Sequence, residues 1–274
     1  MNKIIKIIKD RKILFLPYSF ISLFLIIIPI FFLLFKTFSK ADPSFDNWVY
    51  LKQASTWTTM GRSIFVGFLT SFFTILIALP FSYFVAKQSN IKLKYAYISL
   101  AISPLFVFTI SKILALRGIM TSMFTEESLN SVMTLVLGMT YIYFPFAVIT
   151  LFSVLNNMPK SLEEASSDLG DDSFRTMIKV VIPYALKAIF ISFALVFILA
   201  STSIIVSDKL VANNKSLQMI GNIMDDTSIR NNATTASSIS ALAFVTILIM
   251  MFIYSLIYLV PKIFYKIWGG ESSE

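Results

Sequence analysis

Six long apolar runs, each separated from the next by a polar stretch, set the pattern of this chain. They cover residues 13–35, 63–86, 95–116, 131–155, 185–206 and 238–260. A helix needs about 20 apolar residues to cross a hydrocarbon layer, and every run is close to that length. The pattern predicts an all-α polytopic membrane protein with six transmembrane helices. Pro17, Pro29, Pro104 and Pro145 fall inside runs, where a membrane helix tolerates them because neighbouring groups re-satisfy the freed backbone. No acidic residue falls in the middle of a run. Asp208, at the end of the fifth, comes nearest, so a relay of buried carboxylates has no support.

One polar stretch, 159–183, carries its own helical pattern. Ser161 followed by Glu164 forms a capping-box sequence, which predicts a helix start there. Leu162, Ala165 and Leu169 then fall on one side. Gly170 suits the left-handed turn that closes a helix. Asp171, Asp172 and Ser173 offer a new N-cap, where acids complement the helix dipole. Phe174, Met177, Ile178 and Val181 make a second apolar stripe, and Pro183 ends or bends that helix. Two short amphipathic helices joined at a glycine are expected between apolar spans.

Charge orients the spans. Of 23 Lys and Arg, fourteen fall in four alternate segments: five in 1–12, three at 87–94, four between Lys160 and Lys187, two from Pro261 to Glu274. The excess places these segments on the cytoplasmic side. The expected organisation is a cytoplasmic N-terminus at 1–12 and an uncleaved first span at 13–35. An external segment at 36–62 follows, with Trp48 and Trp57 as interface anchors. A five-helix core at 63–262 contains the cytoplasmic pair at 159–183, and a cytoplasmic tail occupies 263–274.

Composition narrows the chemistry. The chain is 57% hydrophobic and 14% charged, against about 25% charged for a soluble domain. The net charge of +8 is scattered through the polar stretches, so it reads as topology signal rather than as a nucleic-acid face. There is no Cys and no His, which removes disulfides, thiolate nucleophiles, imidazole bases and imidazole metal sites. No catalytic residue and no metal ligand set is expected. The eight glycines never form a Walker A pattern, so any ATP must be bound by another chain.

The order Glu164-Ala165-Ser166, three residues, Gly170, nine residues, Val180-x-Ile182-Pro183 resembles the EAA loop of ABC importer permeases. That loop reads Glu-Ala-Ala, three residues, Gly, nine residues, Ile-x-Leu-Pro. The resemblance implies the type I, MetI-like permease fold with six transmembrane helices and no cofactor of its own. It implies as partners an ABC ATPase dimer that binds the ATP, a second permease of the same fold, an extracytoplasmic substrate-binding lipoprotein and membrane lipid. It also implies that Glu163, Glu164, Ala165, Asp168, Leu169, Gly170 and Phe174 couple to the ATPase.

Other stretches are similar to the spermidine/putrescine permeases of the B-subunit type. Leu79-Pro80-Phe81-Ser82-Tyr83-Phe84-Val85-Ala86-Lys87 resembles their Tyr-Pro-Phe-Ala-Trp-Phe-x-Ala-Lys. Val206-Ser207-Asp208 with Leu210, and Ile220-Gly221-Asn222, resemble their Val-Ser-Asp-Leu and Ile-Gly-Asn. Asp171-Asp172, Lys112 and Ala212-Asn213 depart from the subgroup's usual Ala-Ser, Arg and Gly-Gly. The implied cargo is a polyamine, imported across a bacterial cell membrane. Asp208 would attract a polycation at the pathway, or it is a solvated helix-end acid paired with Lys209. Tyr83, Tyr143 and Phe144 offer ring faces to an ammonium. Ferric iron, thiamine and phosphate are alternative cargoes, and a self-sufficient channel or carrier is an alternative class.

Overall fold

The computed structural model describes residues 11–39, 46–211, 214–225 and 233–267, and these are helical apart from turns and short connections. Residues 1–10 and 268–274, which hold most of the two expected cytoplasmic ends, lie outside the described residues. The chain divides into two compact units. One takes the described residues of Met1–Gln53 and Asp226–Leu248, the other those of Ala54–Asp225 and Ile249–Glu274.

In the first unit, α1 (Arg11–Phe38) is apolar on every side and carries Pro17 and Pro29. Its last carbonyls lack intrahelical donors, and Asn47 supplies one. Its Nδ2 donates to the carbonyls of Thr37 and Ser39, each at 3.0 Å. The Phe38 ring meets Trp48 and Phe244 edge-on, both at 6.0 Å between centroids.

The second unit is built on α2 (Ala54–Lys87), α5 (Val132–Leu155) and α7 (Ser173–Ser201). The buried face of α2 is small and hydroxylated: Thr56, Thr59, Ser63, Gly67, Thr70, Ser71, Thr74, Ala78 and Ser82. Met60, Val66, Ile75, Leu79 and Val85 are buried with them, while Phe65, Phe68, Phe72 and Leu76 face outward. In a lipid solvent apolar bulk gains nothing by hiding, whereas small residues let backbones approach and dispersion accumulate. A Cβ on Gly67 would stand 1.9 Å from Ser201 Oγ and 3.2 Å from the Phe197 carbonyl, so α2 and α7 touch there almost backbone to backbone. At one end Val66, Ile113, Leu135, Met139, Ala200 and Leu210 share a core. At the other Ile75, Ala78, Ala147, Leu151, Val181 and Ala185 share a second.

Several boundaries differ from the expected ones. α2 starts earlier than the expected second span and takes in Ala54–Arg62, where Thr56 and Thr59 pack inward. The expected third span is two helices, α3 (Ile91–Ile102) and α4 (Thr109–Met123), bent by 101°. Pro104 lacks a donor and crowds the preceding turn. A 3-10 turn follows at Ser103–Phe106, and Val107 is extended. The fifth span does not run to Val206: α7 stops at Ser201 and a separate α8 (Ile205–Leu210) begins beyond Thr202–Ile204. The following stretch is partly helical, with α9 at Ile220–Asp225, and α10 (Ala233–Ile267) exceeds its apolar run at both ends. Among the described residues five helices are long and apolar enough to cross a membrane, and the count is six if the bent α3–α4 pair is one broken span rather than a re-entrant loop.

Candidate functional site

The 159–183 stretch forms the expected helix pair, with α6 (Lys160–Asp168) preceding α7. The start differs from the capping-box expectation: Pro159 is the N-cap residue, and no side chain caps the helix. Its ring pre-sets φ at −61°, so the helix begins one residue before Ser161. The C-terminus closes in a full Schellman arrangement. The Gly170 N–H donates to Ser167 and the Asp171 N–H to Ser166, at 2.9 and 3.1 Å, and Gly170 sits at φ +84°. Asp172 caps α7, accepting from the Arg175 N–H at 2.9 Å.

The two helices are locked across that turn. Ser166, buried, shares a 3.0 Å hydrogen bond with Thr176. Lys179 Nζ reaches Asp171 Oδ1 at 2.6 Å, and its donated hydrogen bond holds the Asp171 carboxyl below its ordinary range. Ser166, which departs from the EAA-type pattern, and Asp171, which departs from the subgroup's Ala-Ser, therefore make the contacts that hold the pair. Pro183 does not end the helix. Its missing N–H and its ring are accommodated by a π turn at Met177–Val181, after which α7 runs on to Ser201, a common role for such wide turns.

Helix α6 has two faces. Glu164, Ala165, Asp168 and Leu169 are exposed, Leu169 at 85%, and Phe174 beyond the turn is exposed at 69%. Glu163 and Ser166 turn inward. Glu163 pairs with Lys87, the last residue of α2, at 2.6 Å. The Lys87 ammonium lies 4.7 Å from the centre of the Tyr83 ring. The ammonium that Tyr83 meets is thus one from its own chain, beside α6. Lys94 donates to Asn156 Oδ1 at 3.1 Å at the same end.

Asp208 lies at the opposite end of α7, on α8, where it pairs with Lys209 at 2.8 Å with 47% of its side chain exposed. The Lys209 carbonyl accepts from Arg117 at 3.0 Å. Around it the Val206-Ser207-Asp208 and Ile220-Gly221-Asn222 stretches meet. Ser207 Oγ donates to Asn222 Oδ1 at 2.5 Å, and Asn222 Nδ2 donates to the Ile204 carbonyl at 3.0 Å. A Cβ on Gly221 would lie 2.8 Å from the Thr202 carbonyl, so the residue must be glycine for the loop to close. The Ile220 N–H donates to Ser63 Oγ at 2.8 Å, and Arg62 donates to the Gln218 carbonyl. Tyr143 packs between the two cores beside Phe146. The structure therefore places Asp208 at one end of the bundle, Tyr83 at the other and Tyr143 between them.

Sequence reasoning missed the partners: Lys87 for Glu163, Thr176 for Ser166, Lys179 for Asp171, and Asn222 for Ser207. Lys87 and Asn222 both stood in the resembling stretches, which was the available signal. Among the described residues no group of three or more His, Cys, Asp or Glu is gathered to hold a metal.

A family model described as binding-protein-dependent transport system inner membrane component matches residues 64–267. The spermidine/putrescine transport system permease protein PotB homolog of Mycoplasma genitalium is 28% identical, over 93% of this chain and 94% of its own. The spermidine/putrescine transport system permease protein PotB of Escherichia coli is 25% identical, over 69% of this chain and 72% of its own. A solved structure of the MetNI methionine ABC transporter, in inward facing conformations, matches at a TM-score of 0.56 and 17% identity. That match covers 75% of this chain and 95% of the other. The break-and-turn geometry, the apolar helices and the family match agree: this chain is a multi-pass membrane transport subunit that belongs to the family of binding-protein-dependent transport system inner membrane components.

Proposed function

We propose that the chain is the permease subunit of an ATP-driven ABC importer that carries spermidine and putrescine across the cell membrane. The observation that carries the coupling part is the 160–179 segment. It is locked across its glycine turn, braced to α2, and presents Glu164, Ala165, Asp168, Leu169, Gly170 and Phe174 outward. Exposed Leu169 and Phe174 on an otherwise polar helix pair suit a hydrophobic groove on another protein. In this reading that groove belongs to a separate ABC ATPase, two copies of which bind the ATP. A second permease of the same fold completes the pathway, and an extracytoplasmic lipoprotein delivers the cargo. Segments 1–12, 159–183 and 263–274 are cytoplasmic, and the Asp208 end faces outward.

The polyamine part is supported by the names of the relatives and by Asp208. A carboxylate about 4 Å from an ammonium gains about 4 kcal/mol at an effective dielectric near 20, before desolvation. That attraction draws in a polycation without trapping it. Purification with the ATPase and second permease, followed by uptake into proteoliposomes, tests the reading. Labelled spermidine should accumulate only with internal ATP and external binding protein. Uptake without ATP would indicate a channel or carrier. Competition by phosphate, thiamine or ferric iron but not by putrescine would reassign the cargo.

A further inference from the structure

We infer that Glu163, Lys87 and the Tyr83 ring form a strut joining the docking segment to α2, so that Glu163 is a positioning residue inside the subunit rather than an ATPase contact. The inference deepens the proposed function and rests on its reading of 160–179 as the docking segment.

Three observations carry it. Of the three acids on α6, Glu164 and Asp168 are exposed, while Glu163 keeps only 21% of its side chain exposed and meets Lys87 at 2.6 Å. Tyr83 and Lys87 are four residues apart on α2, so they share a face, and the ammonium rests 4.7 Å from the ring centre. The Tyr83 hydroxyl is buried without a hydrogen bond of ordinary length among the described residues, and it lies near enough to Lys87 and Glu163 to interact with both, so the whole Tyr83 side chain lines the pair. An ammonium held by a carboxylate on one side and an aromatic face on the other is fixed in direction as well as in charge.

The strut ends on a helix that reaches the other site. α2 is continuous from Ala54 to Lys87, about 50 Å at 1.5 Å per residue. Its far end holds the mouth cluster through Arg62 on the Gln218 carbonyl and Ser63 on the Ile220 N–H. α2 is thus bonded both to the docking segment and to the loop beside Asp208.

Charge reversal tests it in two ways. In the purified chain in lipid nanodiscs, K87E and E163K should each speed amide exchange across α6 by roughly tenfold, and the double variant K87E/E163K should recover part of the lost protection, because the ion pair re-forms while a carboxylate now faces the Tyr83 ring. This measurement does not depend on what the protein transports. Unchanged exchange in the single variants, or no recovery in the double, would overturn the strut. In the reconstituted complex, binding-protein-dependent uptake of labelled spermidine should fall in each single variant and recover in part in the double. Tyr83→Leu should reduce uptake less than K87E does, and Tyr83→Phe, which keeps the ring face, should reduce it less than Tyr83→Leu. Recovered protection without recovered uptake would overturn the role of the strut in coupling. A wild-type complex without ATP-dependent uptake would count against the proposed function and leave the exchange result to decide the strut.

Discussion

At the scale of the residue, Gly170 and Asp208 carry the most. Gly170 is the described residue with a positive φ, at +84°, and a Cβ there would meet nothing within 4 Å. Within the subunit, the effect of substitution is therefore conformational. A β-branched residue in the left-handed region costs about 1–2 kcal/mol or more, whereas Asn visits it readily. Gly170→Val should uncouple ATP hydrolysis from uptake while insertion persists, and Gly170→Asn should stay near wild type. Equal uptake by the Val variant and wild type at matched expression would refute a coupling role for the turn. Asp208 makes only a half-exposed pair with Lys209, worth about 0–1 kcal/mol. Asp208→Asn should thus leave the thermal midpoint and ATPase co-purification intact and reduce spermidine uptake at limiting concentration. Unchanged uptake would leave Asp208 as a helix-end acid.

At the scale of the element, packing and electrostatics each make a prediction. The closest helix contact is Gly67 against Ser201, whose Oγ is buried without a hydrogen-bond partner. Gly67→Ala overpacks that contact and should cost about 1–3 kcal/mol, read as a lowered unfolding midpoint in detergent. Ser201→Ala in the same background removes the nearest atom and should recover part of the loss. The α6–α7 turn responds to pH through Asp171. Its folded pKa lies below the ordinary value because Lys179 donates to the carboxylate. The stabilisation is then complete above the unfolded aspartate value, about 3.9, and disappears as pH falls through the lower folded value. Amide exchange in 166–176 should accelerate over that acid window. Asp171→Asn should remove this pH dependence while keeping the Asp172 cap.

At the scale of the whole molecule, the testable feature is sidedness. The excess of Lys and Arg in alternate segments predicts that the tail is cytoplasmic and that residues 117–130, which include the end of α4, are external. The chain contains no cysteine, so single substitutions report without a background. Ser122→Cys and Ser272→Cys should be labelled by an impermeant thiol reagent from opposite sides of the membrane. Labelling from the same side would overturn the six-span arrangement.

The sequence alone determined that this is a membrane-embedded helical protein, because an apolar run of bilayer length has one stable form in lipid, with its backbone bonded to itself. It also determined the helix–glycine–helix turn at 160–179, since Gly170 and the Asp172 cap act within a few residues of themselves. Local chemistry did not settle where α6 begins, since Pro159 displaced the capping box, nor where helices break. The bend at Ser103–Phe108 and the stop at Ser201 arise where Pro104 and Asn222 interrupt runs that composition alone shows as continuous. Tertiary structure alone decided the buried faces. In lipid the hydrophobic effect does not choose between faces, so α2 turns its Thr, Ser and Gly inward, and periodicity cannot reveal that in advance. It also decided the partners: Glu163 meets Lys87, Ser207 meets Asn222, and Ile220 meets Ser63 across 157 positions of chain. Those pairings depend on how α2, α6, α8 and α9 pack, which no single stretch of sequence encodes.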